Sequence, residues 1–305
     1  MRLKNVCGTA LLSVALALGA SEAIAQTVGG SDVVVTGERE RVSREAKEVK
    51  QFVTAIAKPA QGQFARFRKP ICPVAIGMRA DLADQIAARV RAVAADIGGD
   101  VAAPRCAPNL YIIISPDGRG FVRDVERKRD SLLAGLSDGE RATLLATPGP
   151  VHAWAGTELL NEDGLPSQVS ANQGAGGADA FVDHPLMRVM SASIIFKPVR
   201  QEITTAVVVL DSAAVTGKSV TQIADYAAMR ALGRTKPPTG TLPYETILTL
   251  FEPGNLATVA AMTPADRAFL SALYRSNGRY AAVVETGQIA HTMLKQGRAI
   301  RDEER

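Results

Sequence analysis

Two short apolar runs on either side of an amphipathic segment constrain the fold of this chain most strongly. The runs, 73–77 and 110–114, have the length and the branched residues of buried strands. The segment between them predicts a helix that begins at Asp81, ends at Gly98-Gly99 and has one apolar stripe: Leu82, Ile86, Val90, Val93 and Ile97. Strand, helix and strand in this order predict a βαβ-like unit with parallel strands.

The first residues have the three parts of a secretory signal peptide. Arg2 and Lys4 give a positive start, residues 6–20 are almost wholly apolar or small, and Ala23-Ile24-Ala25 is a small-x-small site. The apolar run is shorter than the roughly 20 residues of a membrane-spanning helix. We therefore expect residues 1–25 to be removed after Ala25, Gln26 to be the mature N-terminus, and the protein to be periplasmic or secreted.

A cysteine stands near the start of each strand of the predicted βαβ-like unit. Cys72 and Cys106 are the cysteines that the mature chain keeps. In an oxidising compartment an even pair indicates a disulfide. If the two strands are parallel neighbours, their starts lie at one end of the sheet, within reach of a bridge.

Charge and composition indicate no nucleic-acid partner. Removal of Arg2, Lys4 and Glu22 with the signal leaves 33 basic and 30 acidic side chains. In residues 123–130 both signs are mixed, which is typical of a solvated helix face. Aromatic residues make up only 5% of the chain, too few for platforms on which bases stack. We also expect no transmembrane segment in the mature chain.

The remaining patterns predict an α+β (mixed α/β) fold, in which helices pack on a small mixed sheet. We expect a flexible arm plus one helix over 26–68, a single domain over 69–300 and a charged tail over 301–305. Within 26–68, residues 26–40 are interpreted as an arm or edge strand and 59–70 as a basic linker. The other predicted elements are helices at about 43–57, 120–134, 138–146 and 220–232, C-terminal helices after 263, an edge strand at 151–160, a loop at 161–185, and strands at 188–198 and 201–210.

A partial phosphate-binding motif precedes the predicted helix 220–232. Gly217-Lys218-Ser219 matches the end of a P-loop, but Ser212 replaces its first glycine. Ser219 followed by Gln222 is also a capping box that opens a helix. A P-loop-like nucleotide binder is therefore an alternative that the sequence disfavours.

The helix 220–232 places Gln222 and Tyr226 at the spacing of the two zinc-binding histidines of a zincin metallopeptidase. Together with 225–230, 246–251 and 270–274, this region resembles an uncharacterised proteobacterial family of secreted proteins with a metallopeptidase-like domain. The resemblance implies a zincin-like fold. Gln222 and Tyr226 are poor zinc ligands, and Ile223 cannot act as the general base. The implied scaffold is therefore degenerate, a pseudoenzyme without metal or other cofactor, with Gln222 and Tyr226 facing a cleft.

Three hypotheses about function follow. The leading one is a non-catalytic binding or scaffold protein, whose cleft beside helix 220–232 takes an envelope protein or ligand. The second is a hydrolase whose site is assembled from the scattered residues His152, Asp183 and His184. The third is the nucleotide binder described above. No catalytic residue is assigned, and His152, Asp183 and His184 join Gln222 and Tyr226 as candidate binding residues.

Overall fold

The computed structural model describes residues 31–128, 131–161, 164, 166, 197–253 and 259–303. The chain divides into two compact units, residues 1–41 and 42–305, and the features analysed below belong to the second. The predicted signal peptide with Ala25 and Gln26 lies outside the described residues. So do Asp183, His184 and most of the predicted loop and strand between 161 and 198.

A four-stranded mixed sheet forms the centre of the second unit. Its spatial order is β1, β2, β4, β3, with β1, β2 and β4 parallel and β3 antiparallel to β4. This confirms the α+β fold class and the parallel βαβ-like unit, as well as the edge strand at 151–160. The strands are β1 Pro73–Ile76, β2 Leu110–Ser115, β3 Val151–Leu160 and β4 Arg200–Asp211.

Helices cover both faces of the sheet, and their starts are set by local capping. The predicted Ser219/Gln222 capping box is present, and Ser137 with Glu140 and Thr263 with Asp266 form two more, the last before Pro264. The helices are α1 Ser31–Ile56, α2 Ala80–Asp96, α3 Gly118–Arg127, α4 Asp138–Ala146, α5 Ser212–Val215, α6 Val220–Leu232, α7 Pro264–Arg275 and α8 Ala282–Glu303.

Strand β4 is buried on both faces, which explains its unbroken apolar sequence. Ala206, Val208 and Leu210 belong to the larger core, which includes residues of α2, α6 and α7. Val207 and Val209 belong to a smaller core with residues of α3 and α4. Because β3 also contributes to both cores, it is held from both sides although it lies at the edge of the sheet.

The N-terminal part of the unit differs from the prediction. Helix α1 begins at Ser31, so the interpretation of 26–40 as an arm or edge strand is wrong for the residues described. Residues 59–70 are not a solvated linker, since Phe64, Arg66 and Phe67 are buried. Arg66 donates a 2.8 Å hydrogen bond to the Ser276 hydroxyl after α7, and burial lowers its pKa to about 10. At the other end, α8 extends to Glu303, so most of the predicted tail is helical.

The predicted disulfide between Cys72 and Cys106 is confirmed. Their Cα atoms are 6.0 Å apart and they are separated by 34 residues. In the chain-entropy account, closing a loop of this length stabilises the fold by about 3–4 kcal/mol. The bridge lies beside the parallel β1–β2 pair, as the βαβ-like unit requires.

Helix α6 is fixed against α2 by a buried carboxylate. Asp225 is fully buried and accepts two hydrogen bonds from the Arg89 guanidinium, at 2.8 and 3.0 Å. It also accepts the backbone N–H of Met262 at 2.7 Å, just before α7 begins. One side chain thus joins three parts of the unit and sets the position of the helix that reaches the candidate site.

Within the described ranges, no helix is both long enough and apolar enough to cross a lipid bilayer.

Candidate functional site

A cavity of about 430 Å³ lies beside the edge strand β3. Its volume falls within the range of small-ligand sites, roughly 300–1,000 Å³. Four parts of the chain line it: residues 151–155 of β3, helix α4, Lys58 just after α1, and the end of α6 with residues 234–237. The site is therefore built from parts of the chain that only the tertiary fold brings together.

Positive charge prevails among the charged residues that line this cavity. Four of its residues are cationic and one is acidic, so the lining has a net charge of +3 with His152 neutral. A concave site with charge of one sign attracts ligands of the opposite sign. The cations are Lys58, Arg230, Arg234 and Lys236, and the acid is Glu140.

Arg234 is the most deeply buried of these cations, with 5% of its surface exposed. Its backbone has a φ of +47°, a left-handed conformation that costs a non-glycine residue about 1 kcal/mol or more. The guanidinium donates to the carbonyl of Pro59 at 2.7 Å and forms an ion pair with Glu140. Burial alone raises the pKa of Glu140, but the charge of Arg234 and hydrogen bonds outweigh it, so the net shift is downward. Glu140 therefore stays ionised.

Arg230 is held in place by Tyr226, one helical turn earlier in α6. Its guanidinium donates to the Tyr226 hydroxyl at 2.8 Å and lies 5.7 Å from the centre of the ring. A second hydrogen bond runs from its Nε to the carbonyl of Thr235 at 3.1 Å. These contacts fix Arg230 at the cavity in one geometry.

Lys58 lies half-buried beside two arginines. Burial lowers its pKa from the ordinary value, and the positive charge of Arg234 lowers it further. Among the described residues, no group receives a hydrogen bond from its ammonium. A crowded cation without a partner is suited to bind an anion.

His152 also lines the cavity, and it is 1% exposed. Neither ring nitrogen has a hydrogen-bond partner within the described part of the chain. Burial lowers the pKa of His152, the charge of Asp211 raises it, and that of Arg119 lowers it. The ring is therefore neutral near pH 7, and both of its nitrogens are buried without a hydrogen bond to any described residue.

The two carboxylates nearest His152 are already used by helix α3. Asp211 accepts the backbone N–H of Gly118 at 2.7 Å, and Asp117 accepts that of Gly120 at 2.7 Å. A Cβ at Gly118 would lie 2.6 Å from the Asp211 carboxylate and 3.3 Å from the His152 ring. Glycine at 118 thus allows the start of the helix to sit this close to the site.

The predicted site residues do not come together in one place. His152 lies at the cavity, whereas Asp183 and His184 lie outside the described residues. Tyr226 is 1% exposed and packs edge-on against Phe251, so the prediction that it faces a cleft is wrong. Gln222 caps α6 through the backbone N–H of Ser219 and donates to the carbonyl of Val259 at 2.9 Å. Both of its groups are therefore used within the fold.

No significant match to this chain is found among protein families, among curated proteins or among solved structures.

Two further features bear on the chemistry of the molecule. Ser219, part of the P-loop-like segment, serves as the N-cap of α6. In the described ranges, no group of three or more His, Cys, Asp or Glu side chains could hold a metal ion.

A larger groove of about 900 Å³ lies among α1, α7 and α8. It is lined by apolar side chains such as Val49 and Met293, and at its rim Arg267 is paired with Asp96. Its charged lining residues are of both signs, Glu45, Glu48 and Asp96 against Arg267 and Arg275, so the cavity at β3 is the better candidate for binding an anion.

Sequence reasoning missed the cations of the cavity. Arg230, Arg234 and Lys236 follow one another at the end of a predicted helix, which is a visible signal of a basic cluster. Lys58 gave no signal, because only the tertiary fold brings it beside Arg234, whose carbonyl accepts its backbone N–H at 3.2 Å.

Proposed function

We propose that this chain is an exported, non-catalytic binding protein that holds a small anion in the cavity at β3. The observation that carries the proposal is the net charge of +3 on the lining of one partly buried cavity. The chain as a whole has a net charge of only +4, so the concentration of charge at this place is not a general property of the surface.

The mutual repulsion of the cations around the cavity supports an anionic ligand. Two like charges about 5 Å apart repel by about 3 kcal/mol at the effective dielectric typical near a protein surface. Glu140 offsets part of this repulsion, through its ion pair with Arg234 and through its charge near Lys58, but Lys58 itself forms no ion pair among the described residues. An anion between Lys58 and Arg230 would remove the remaining repulsion and gain charge-assisted hydrogen bonds.

The non-catalytic part of the proposal rests on His152. A histidine that activates a nucleophile must lie within hydrogen-bond reach of it. No described side chain bonds to either nitrogen of this ring. The alternative hydrolase depends on Asp183 and His184, and the nucleotide binder depends on Lys218. Neither of these two hypotheses assigns a role to the four cations that line the cavity.

Export remains a proposal that the disulfide supports, because bridges such as Cys72–Cys106 form and persist in oxidising compartments. The degenerate zincin-like scaffold also remains a prediction.

Titration calorimetry with sodium sulfate tests the proposal. The wild-type protein should bind one sulfate, and Lys58→Ala should raise the dissociation constant by about 10- to 100-fold. This is the loss expected for a charge-assisted hydrogen bond of about 1.5–3 kcal/mol. Lys47→Ala is the matched control, because it removes an exposed lysine of α1 that does not line the cavity.

Equal loss of affinity in both variants would show that only net charge matters and would overturn the site. Absence of sulfate, phosphate and citrate binding to the folded wild-type protein would overturn the anion-binding function. Turnover of ester or peptide substrates that disappears in His152→Gln would favour the hydrolase instead.

A further inference from the structure

The positive charge of the cavity does not explain why the His152 ring is buried there without a hydrogen bond. A neutral imidazole always has one N–H, and a buried donor without a hydrogen bond destabilises the fold. Such a cost persists in a fold when a bound molecule can remove it. The described residues supply no bond to either nitrogen, and His152 is one of the residues of β3 that border the cavity.

We propose that His152 contacts the bound anion directly and takes up a proton as the anion binds, which makes the ligand an oxyanion held by a charged imidazole. This inference rests on the proposed function and names the ligand class of the same site. In the bound state, one imidazolium N–H donates to a ligand oxygen, and the proton comes from solvent. A ligand that presents only apolar groups to this end of the cavity leaves the ring unsatisfied.

The charged groups around His152 fit proton uptake upon binding. Asp211 from the end of β4 and Asp117 from the start of α3 favour the charged ring, whereas Arg119 of α3 and Arg230 of α6 oppose it. Each carboxylate accepts a backbone N–H of α3, and neither accepts a hydrogen bond from the ring. The free ring is neutral because burial and the arginines dominate. A dianion placed beside it adds enough negative charge to reverse that balance.

The consequence is an affinity that depends on pH in one direction. When the free ring is neutral and the bound ring is charged, acidification favours the complex. For uptake of one proton, the dissociation constant rises by at most about tenfold for each pH unit of increase. Sulfate is the suitable probe, because it keeps both charges throughout the range of about pH 5 to pH 8 in which histidine titrates.

The experiment measures sulfate binding to the full chain across this range, in buffers of different ionisation enthalpy. We expect wild-type protein to take up close to one proton per sulfate and to bind more weakly as the pH rises. His152→Gln should bind sulfate with a dissociation constant that is nearly independent of pH. Nitrogen-15 NMR of the wild-type histidines should show one ring change from neutral to charged when sulfate is added at constant pH, which requires no variant.

A wild-type pH profile that is flat, or that matches the profile of His152→Gln, would overturn the role of His152 while leaving anion binding intact. A folded wild-type protein that binds no sulfate at any pH would instead overturn the proposed function itself. The two failures are therefore distinct.

Discussion

At the scale of single residues, the site depends on side chains that hold other side chains. Tyr226 is buried and does not reach solvent, yet its hydroxyl accepts the hydrogen bond that orients Arg230. Arg234 is oriented in the same way, by the carbonyl of Pro59 and the carboxylate of Glu140. Arginines fixed in this way lose little side-chain freedom when an anion binds, which favours affinity.

Tyr226→Phe tests this positioning role of the tyrosine. The change removes the acceptor of Arg230 and leaves the ring, so we expect the dissociation constant for sulfate to rise about three- to tenfold and the free energy of unfolding to fall by about 1 kcal/mol. Tyr111→Phe is the matched control, because it also removes one hydroxyl bonded to a carbonyl, that of Pro108 at 2.9 Å, away from the cavity. Calorimetry and urea unfolding measure both effects. Unchanged sulfate affinity in Tyr226→Phe would contradict the role.

At the scale of elements, α6 explains why the zincin-like interpretation misplaced its residues. Residues 223–229 of this helix are all buried, because α2, the sheet and the segments before α7 cover it on several sides. A helix with one apolar stripe should leave the opposite face exposed. Here that face is covered as well, and the buried Asp225 is neutralised by Arg89. Helical periodicity correctly predicts where α6 begins and ends, but it cannot show how many neighbours surround it.

Asp225→Ala tests how strongly α6 is fixed. It leaves the buried N–H of Met262 without an acceptor and removes the partner of Arg89, so we expect the free energy of unfolding to fall by about 2–4 kcal/mol. Arg89→Ala should cost less, because Arg89 is partly exposed. The exposed Asp84→Ala in α2 is the control and should change stability by about 0.5 kcal/mol or less. Denaturant unfolding of the three variants measures these effects. A loss in Asp225→Ala no larger than in the control would show that the ion pair does not fix the helix.

Other elements show how far local patterns predict the fold. The strands at 73–77, 110–114, 151–160 and 201–210, the Ser219/Gln222 capping box and the Cys72–Cys106 bridge follow from short-range signals and are confirmed. The prediction of a linker over residues 59–70 is wrong, because glycine, proline and arginine normally indicate a solvated segment. Arg66 is buried there because Ser276 and Glu285, more than 200 residues away in sequence, supply its partners. Contacts at that sequence separation leave no local pattern.

At the scale of the whole molecule, the numbers of basic and acidic residues are nearly balanced, but the cations are concentrated at one place. The chain has 35 basic and 31 acidic side chains, a balance that predicts no particular partner. The fold nevertheless gathers Lys58 and three cations from 230–236 at one cavity, with Glu140 as the single acid. Composition could not predict this site, because its cations come from both ends of the domain. The hypothesis of a binding cleft beside α6 stays a prediction; Arg230 near the end of α6 lines the cavity, whereas Gln222 and Tyr226 do not.

The central claim is that an anion binds in the cavity at β3, and selenate, a sulfate analogue with a strong anomalous signal, tests it most directly. A crystal structure of the protein grown with selenate should show an anomalous peak in this cavity, within hydrogen-bond distance of Lys58 and Arg230. Refinement should place one selenate oxygen beside the ring of His152. An empty cavity in crystals that hold selenate elsewhere, at a concentration that saturates binding in solution, would contradict the account.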